Sequence, residues 1–263
     1  MAIEAISNYL DGRQIDPKVS KETALRLLMG GAKFVQTDLA LRRIADELPK
    51  DKREWAKPKK TLSASIAIYG AYTDRSVQRL HSDGLVEPVS YAYNYLAVFW
   101  DYRVDGCGKV YDCDDEQIWS SAILQLTKNP NVYKPHSLVN ALEDAKVEYQ
   151  KAELALKTFD PESWDPLELM DEVVSLRQKS FGRTAEILTR VLNAGVENPR
   201  LERNCANLTL ALGEWDAKVD FREDERNHTM TEARAGLLVD EAYGLPKNTT
   251  INRLIAYHLS EVN

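Results

Sequence analysis

The sequence predicts a mostly α-helical protein of two lobes, and three observations carry that prediction. Apolar residues recur at helical spacing through most of the 263 residues. With 44% hydrophobic and 29% charged residues, the chain can bury a real core and does not read as disordered. Its length suits two closely packed lobes, and the linker-like stretch 157–166 (KTFDPESWDP) divides it into an N-terminal helical lobe, 1–157, and a C-terminal helical lobe, 158–263.

Taken in order, Lys21 to Leu48 carries Leu25, Leu28, Phe34, Leu41, Ile44 and Leu48 at helical period. Gly30-Gly31 is expected to split or bend it. A lysine-rich connector containing Pro58 leads to a helix from Thr61 to His81, closed by Ser82-Asp83-Gly84. Tyr91 to Tyr102 (YAYNYLAVFWDY) is the most aromatic stretch and reads as either a buried helix or a strand, core rather than a base-stacking platform. The acidic, turn-rich segment 104–116 suits a short hairpin. Trp119 to Leu126 and Ser137 to Leu156 read as helices around a loop bracketed by Pro130 and Pro135. Asp165-Pro166 has the form of a helix start, with proline at the favoured first position. Helices are then expected from Leu167 to Lys179, Phe181 to Ala194, Cys205 to Val219, Thr231 to Tyr243 and Thr249 to Glu261, the last capped by Asn248 or Thr249.

No apolar run approaches the roughly 18 residues of a membrane span, and the N-terminus lacks the pattern of a signal peptide. No membrane partner is therefore expected. Three cysteines, Cys107, Cys113 and Cys205, speak for a reducing compartment and a cytoplasmic location rather than a disulfide framework. The net charge of −7 argues against avid nonspecific nucleic-acid binding over the whole surface. Charge is nevertheless segregated. Residues 50–60 hold six Lys/Arg against two acids, and residues 177–203 hold Arg177, Lys179, Arg183, Arg190, Arg200 and Arg203 against three glutamates.

Catalytic signatures are sparse. There is no Gly-rich phosphate loop, GxSxG or HExxH, and the four histidines lie far apart. Glu225-Arg-Asn-His228 is a lone ExxH, where a di-iron carboxylate site needs two. Cys107 and Cys113 have neither the spacing nor the companions of a zinc site. Two DxxxD pairs, Asp101/Asp105 and Asp216/Asp220, could each put two carboxylates on one helix face and chelate Mg²⁺ on a diphosphate, as in class I isoprenoid synthases. That gives one alternative function, and a helical protein-interaction module gives another. No cofactor or metal is expected, and enzymatic activity is left open with the balance against it.

The most informative stretch is 177–216. Ile187, Leu188, Val191 and Leu192 stripe one helix, and Leu208, Leu210, Leu212 and Trp215 another. Between them Asn198-Pro-Arg-Leu-Glu-Arg-Asn204 presents Arg200 and Arg203 near a helix start, where guanidinium groups and backbone N–H can meet phosphate. A solvated hairpin with salt bridges is the plain alternative. Ser180, Ala185-Glu186, Arg190, Asn193, Pro199-Arg200, Arg203-Asn204, Leu210-Ala211 and Trp215-Asp216 together resemble the core of the coat proteins of flexuous filamentous plant viruses, the potyvirus-like group especially. Phe99-Trp100 and residues 114–118 add a looser similarity. The resemblance rests on the C-terminal half. It implies a capsid subunit that polymerises with copies of itself into a helical filament, a virion, around single-stranded RNA. It further implies that Ser180 and Arg200 contact the phosphate backbone, with Asp216 orienting the arginine. Arg183 and Arg203 complete the expected RNA-binding set.

Overall fold

The computed structural model describes residues 21–104, 115–219, 221 and 230–262, with side chains from Phe34 onward except at Lys60, Asp101, Tyr102, Asp115 and Val219. Among these the secondary structure is helical and no strand occurs, as the periodicity predicts. The hairpin expected near 104–116 falls almost wholly on 105–114, outside the described residues.

The first helix, α1 (Lys21–Glu47), runs unbroken through Gly30-Gly31. Each glycine costs about 1 kcal/mol against alanine in a helix interior. A 27-residue helix that buries Leu41 and Ala45 absorbs that cost. After α2 (Lys50–Ala56) the Pro58 connector is pinned by the fully buried Asn94, whose amide donates to the Trp55 carbonyl at 2.5 Å and the Lys57 carbonyl at 3.1 Å. The single helix expected over 61–81 is two, α3 (Lys60–Thr73) and α4 (Val77–Ser82). The chain turns between them at Asp74, which has a positive φ of 55°. Ser76 then restarts the helix, its hydroxyl accepting from the Arg79 N–H at 3.1 Å.

The aromatic stretch is helix and core. It forms α5 (Val86–Asn94), a π-helical segment Tyr95–Trp100 and a closing turn Asp101–Val104, with Tyr91, Tyr93, Tyr95 and Phe99 buried. Helix α6 (Asp115–Lys128) packs on it through Trp119, and α7 (Pro135–Lys157) follows. The chain continues as α8 (Pro166–Arg177), a π-helical segment Gln178–Gly182, α9 (Arg183–Leu192), α10 (Pro199–Val219), α11 (Glu232–Ala242) and α12 (Thr249–Ser260). The Asp165 carboxylate caps α8 by accepting from Leu167 and Glu168 N–H, with Pro166 in the first position as the sequence indicates. Neither Asn248 nor Thr249 caps α12 with its own side chain. The buried Asp240 of α11 does so from outside, accepting from the N–H groups of Thr249 (2.9 Å) and Thr250 (3.0 Å) and from the Thr250 hydroxyl (2.7 Å).

Two apolar clusters form, and their division does not follow 157–166. The larger gathers α1 to α6, the first half of α7 (Leu138 to Tyr149), α9 and the start of α10. The smaller gathers the end of α7 (Ala152, Leu156), α8, α11 and α12. Helix α7 therefore runs through both, and α9 returns the chain to the first core. A third small contact, Ile68, Leu208 and Val262, fastens the chain just beyond α12 to α3 and α10.

Candidate nucleic-acid interface

The hairpin of α9 and α10 carries the arginines singled out above, and its turn is built in detail. Helix α9 ends through Ala194 (φ 56°) and Gly195 (φ 80°), whose N–H groups return to the carbonyls of Val191 and Arg190. Gly195 is obligatory here: a Cβ would lie 2.2 Å from the Tyr133 carbonyl oxygen, in a backbone region that L-residues avoid. Asn198 then caps α10, accepting from the Leu201 N–H at 3.1 Å. Glu202 reaches back to accept the Asn198 N–H at 2.9 Å, a reciprocal cap one residue longer than the usual box.

Arg190 locks this start. Its Nε and Nη2 donate to the two carboxylate oxygens of Glu202 at 3.1 and 2.7 Å, and its Nη1 donates to Glu197 at 3.1 Å. The hydrogen bonding to Glu202 holds the guanidinium above its ordinary pKa. Arg190 is thus internal wiring. Arg200 and Arg203, on the first turns of α10, are exposed.

The remaining candidates are dispersed. Ser180 is fully buried in the π-helical segment, and its hydroxyl donates to the Arg177 carbonyl at 3.4 Å. Arg183 is half-exposed and pairs with Glu186 at 3.0 Å. Its neighbour Gly182 packs against Leu210, which puts this end of α9 well along α10 from Arg200. Asp216 is exposed on the same continuous helix as Arg200. At 1.5 Å and 100° per residue the two lie about 24 Å apart along the axis and on nearly opposite sides. Within the chain the structure brings Arg200 and Arg203 together and does not add Ser180 or Asp216 to them.

Of the other residues weighed from sequence, Asp105, Asp220, Cys107, Cys113, Glu225 and His228 lie outside the described residues. Cys205 is buried, and desolvation pushes its thiol up to about 11, which makes it a poor nucleophile. Among the described residues no group of three His, Cys, Asp or Glu could hold a metal ion, and no helix is long and apolar enough to cross a membrane.

What the sequence reading missed is a chain of buried charges in the smaller core. Arg177, first in the basic run, is nine-tenths buried. Its Nη1 donates to both oxygens of Glu153 (2.6 and 2.8 Å), its Nε lies 3.3 Å from Glu232, and it sits over the Phe181 ring. Beside Glu232, Glu214 of α10 meets His258 of α12 with Oε1 and Nε2 3.0 Å apart. The signal was present: Glu153 follows Tyr149 by four residues, Glu214 follows Leu210 by four, and His258 follows Leu254 by four. Each stands on an otherwise apolar stripe.

No protein-family model matches this chain, and neither does any curated protein or solved structure.

Proposed function

We propose that this chain is a coat- or nucleocapsid-type subunit that associates with copies of itself and holds the phosphate backbone of single-stranded RNA on Arg200 and Arg203. One observation carries the reading. Two exposed arginines stand at the start of a 21-residue helix, where the helix dipole is positive and a cation is disfavoured by a few tenths to about 1 kcal/mol. A cation at the positive end of a helix gains nothing from the dipole, and an anion there would meet both. The Arg190–Glu202–Asn198 wiring beneath holds that helix start rigid, so the two guanidinium groups come from a fixed platform. Contacts of this kind bind backbone without reading bases, so uridine and adenosine homopolymers should bind alike. The phosphate site in this reading is the pair alone. Ser180 stays in the core, and Asp216 could meet Arg200 only across a subunit boundary.

The test is fluorescence anisotropy of a labelled single-stranded homopolymer at low salt, with scattering to follow assembly. Arg200→Gln with Arg203→Gln should weaken binding at least tenfold while the helical circular dichroism stays unchanged. Equal binding by the double variant would sink the site. Binding without any growth in particle size would sink the coat reading and leave a monomeric RNA binder.

A further inference from the structure

The buried pair Glu214–His258 has no role in the phosphate reading, and its surroundings are unusual. Both side chains are about 95% buried or more, from α10 and α12. Glu214 Oε2 and both ring nitrogens of His258 lack any well-aligned hydrogen bond, so the 3.0 Å approach of Oε1 to Nε2 is the polar contact the two have to share. Among the described residues the charged groups that face them are few. From α11 comes Glu232, already tied to Arg177 of α8, which Glu153 of α7 clamps. From beyond α12 itself comes Glu261, and the Tyr257 ring stands edge-on to the imidazole. Among the described residues nearby charge is thus mainly negative, and Arg177 is engaged elsewhere.

We propose that α12 is a proton-dependent latch: one proton held between Glu214 and His258 keeps the helix docked, and its loss as the solution turns alkaline frees the helix. With the proton present the pair is either two neutral groups or an ion pair, and both can be buried. Without it a carboxylate is left beside Glu232 in a dry site facing a neutral ring, and the favourable response is to open. What opens is well defined. Helix α12 docks on α10 and α11, and the chain after it pins Val262 against Ile68 and Leu208, so release also frees Val262 from α3 and α10.

The pH window follows from the proton count. Burial raises Glu214 well above its ordinary 4.5, and burial pulls His258 down to about 4 from its ordinary 6.5. The docked pair therefore holds one proton from about pH 4 up to the raised value of Glu214. The released pair holds two protons below 4.5, one between 4.5 and 6.5, and none above. Docking is then insensitive to pH between 4.5 and 6.5. Above 6.5 the docked state holds the extra proton, so docking weakens as pH rises, by up to tenfold per pH unit.

The experiment is amide hydrogen exchange of residues 249–260 in the full chain from pH 5 to 9, expressed as protection factors. The native protein should hold protection level to about pH 6.5 and then lose up to tenfold per unit. Glu214→Gln cannot ionise, and its protection should not fall above 6.5. His258→Gln leaves the raised carboxyl alone, so its decline should already be under way at pH 5. Level protection to pH 9 in the native protein overturns the latch. So does a Glu214→Gln variant that follows the native curve, or a His258→Gln variant whose decline still begins at 6.5; the last holds even where Glu214→Gln fails to fold.

Discussion

Two arginine clusters from one basic stretch have opposite fates. Arg177 is sealed between Glu153 and Glu232 at the meeting of α7, α8 and α11, with fractional exposure of 8, 1 and 4%. Arg190, between Glu197 and Glu202, sits at a rim where Glu197 is two-thirds exposed. In composition the two are the same, one guanidinium between two carboxylates. They differ in how much water each group gave up. The buried triad exchanged hydration for fixed partners. The rim triad keeps part of its hydration and organises a turn. A run of arginines therefore does not define a surface, and Arg200 and Arg203 are the two of the group that lie exposed on the first turns of one helix.

The sharpest way to break this comparison is to remove its two centres. Arg177→Ala leaves two carboxylates facing one another without water and should cost about 3–5 kcal/mol of unfolding free energy, read by denaturant titration. Arg190→Ala leaves the buried Glu202 with its backbone partner at Asn198 and leaves Glu197 to water, so a loss of about 1–2 kcal/mol is expected. Equal losses would mean that burial is not what separates them. Arg183, paired with Glu186 while both remain partly solvated, sets the lower end: Arg183→Ala should shift stability by less than about 0.5 kcal/mol.

Much of this was legible in the residues. Helical period gave the class and most elements, Asp165-Pro166 gave the start of α8, and the tyrosines of 91–95 were recognisable as core. Three features were not. The cap of α12 comes from Asp240, on a neighbouring helix, and a search for caps next to a helix start cannot find it. The interior of Arg177 and Ser180 depends on which face of a helix meets which neighbour, and local charge counting is blind to that. The gap between Arg200 and Asp216 depends on α10 being one continuous helix, while motif order along a sequence says nothing of distance. Glu153, Glu214 and His258 were the recoverable miss, since a charge on an apolar stripe announces a buried partner.

The non-local cap and the tight turn sharpen the same contrast between interior wiring and surface. Asp240→Ala strips the acceptors from two backbone N–H groups and the buried Thr250 hydroxyl, and should cost about 2–3 kcal/mol. Gly195→Ala forces a side chain into left-handed backbone against the Tyr133 carbonyl and should cost at least about 1 kcal/mol by thermal melting. A neutral Gly195→Ala would mean that the loop carrying Tyr133 moves freely away from the hairpin.

The exposed pair is expected to show the smallest effect on folding and the largest on binding. Neutralising Arg200 and Arg203 removes two positive charges from the positive end of α10, so unfolding free energy should change by less than about 0.5 kcal/mol. If the two guanidinium groups sit on phosphates, the slope of log affinity against log salt should become shallower by about 1.4, since each single-strand phosphate contact contributes about 0.7. A variant that keeps its slope but loses stability would place these arginines with Arg177, as parts of the fold. A variant that keeps its stability and loses slope places them at the interface. The two measurements on one variant separate the alternatives because the dipole term acts in both free and bound protein, whereas released counterions report only on contact with the strand.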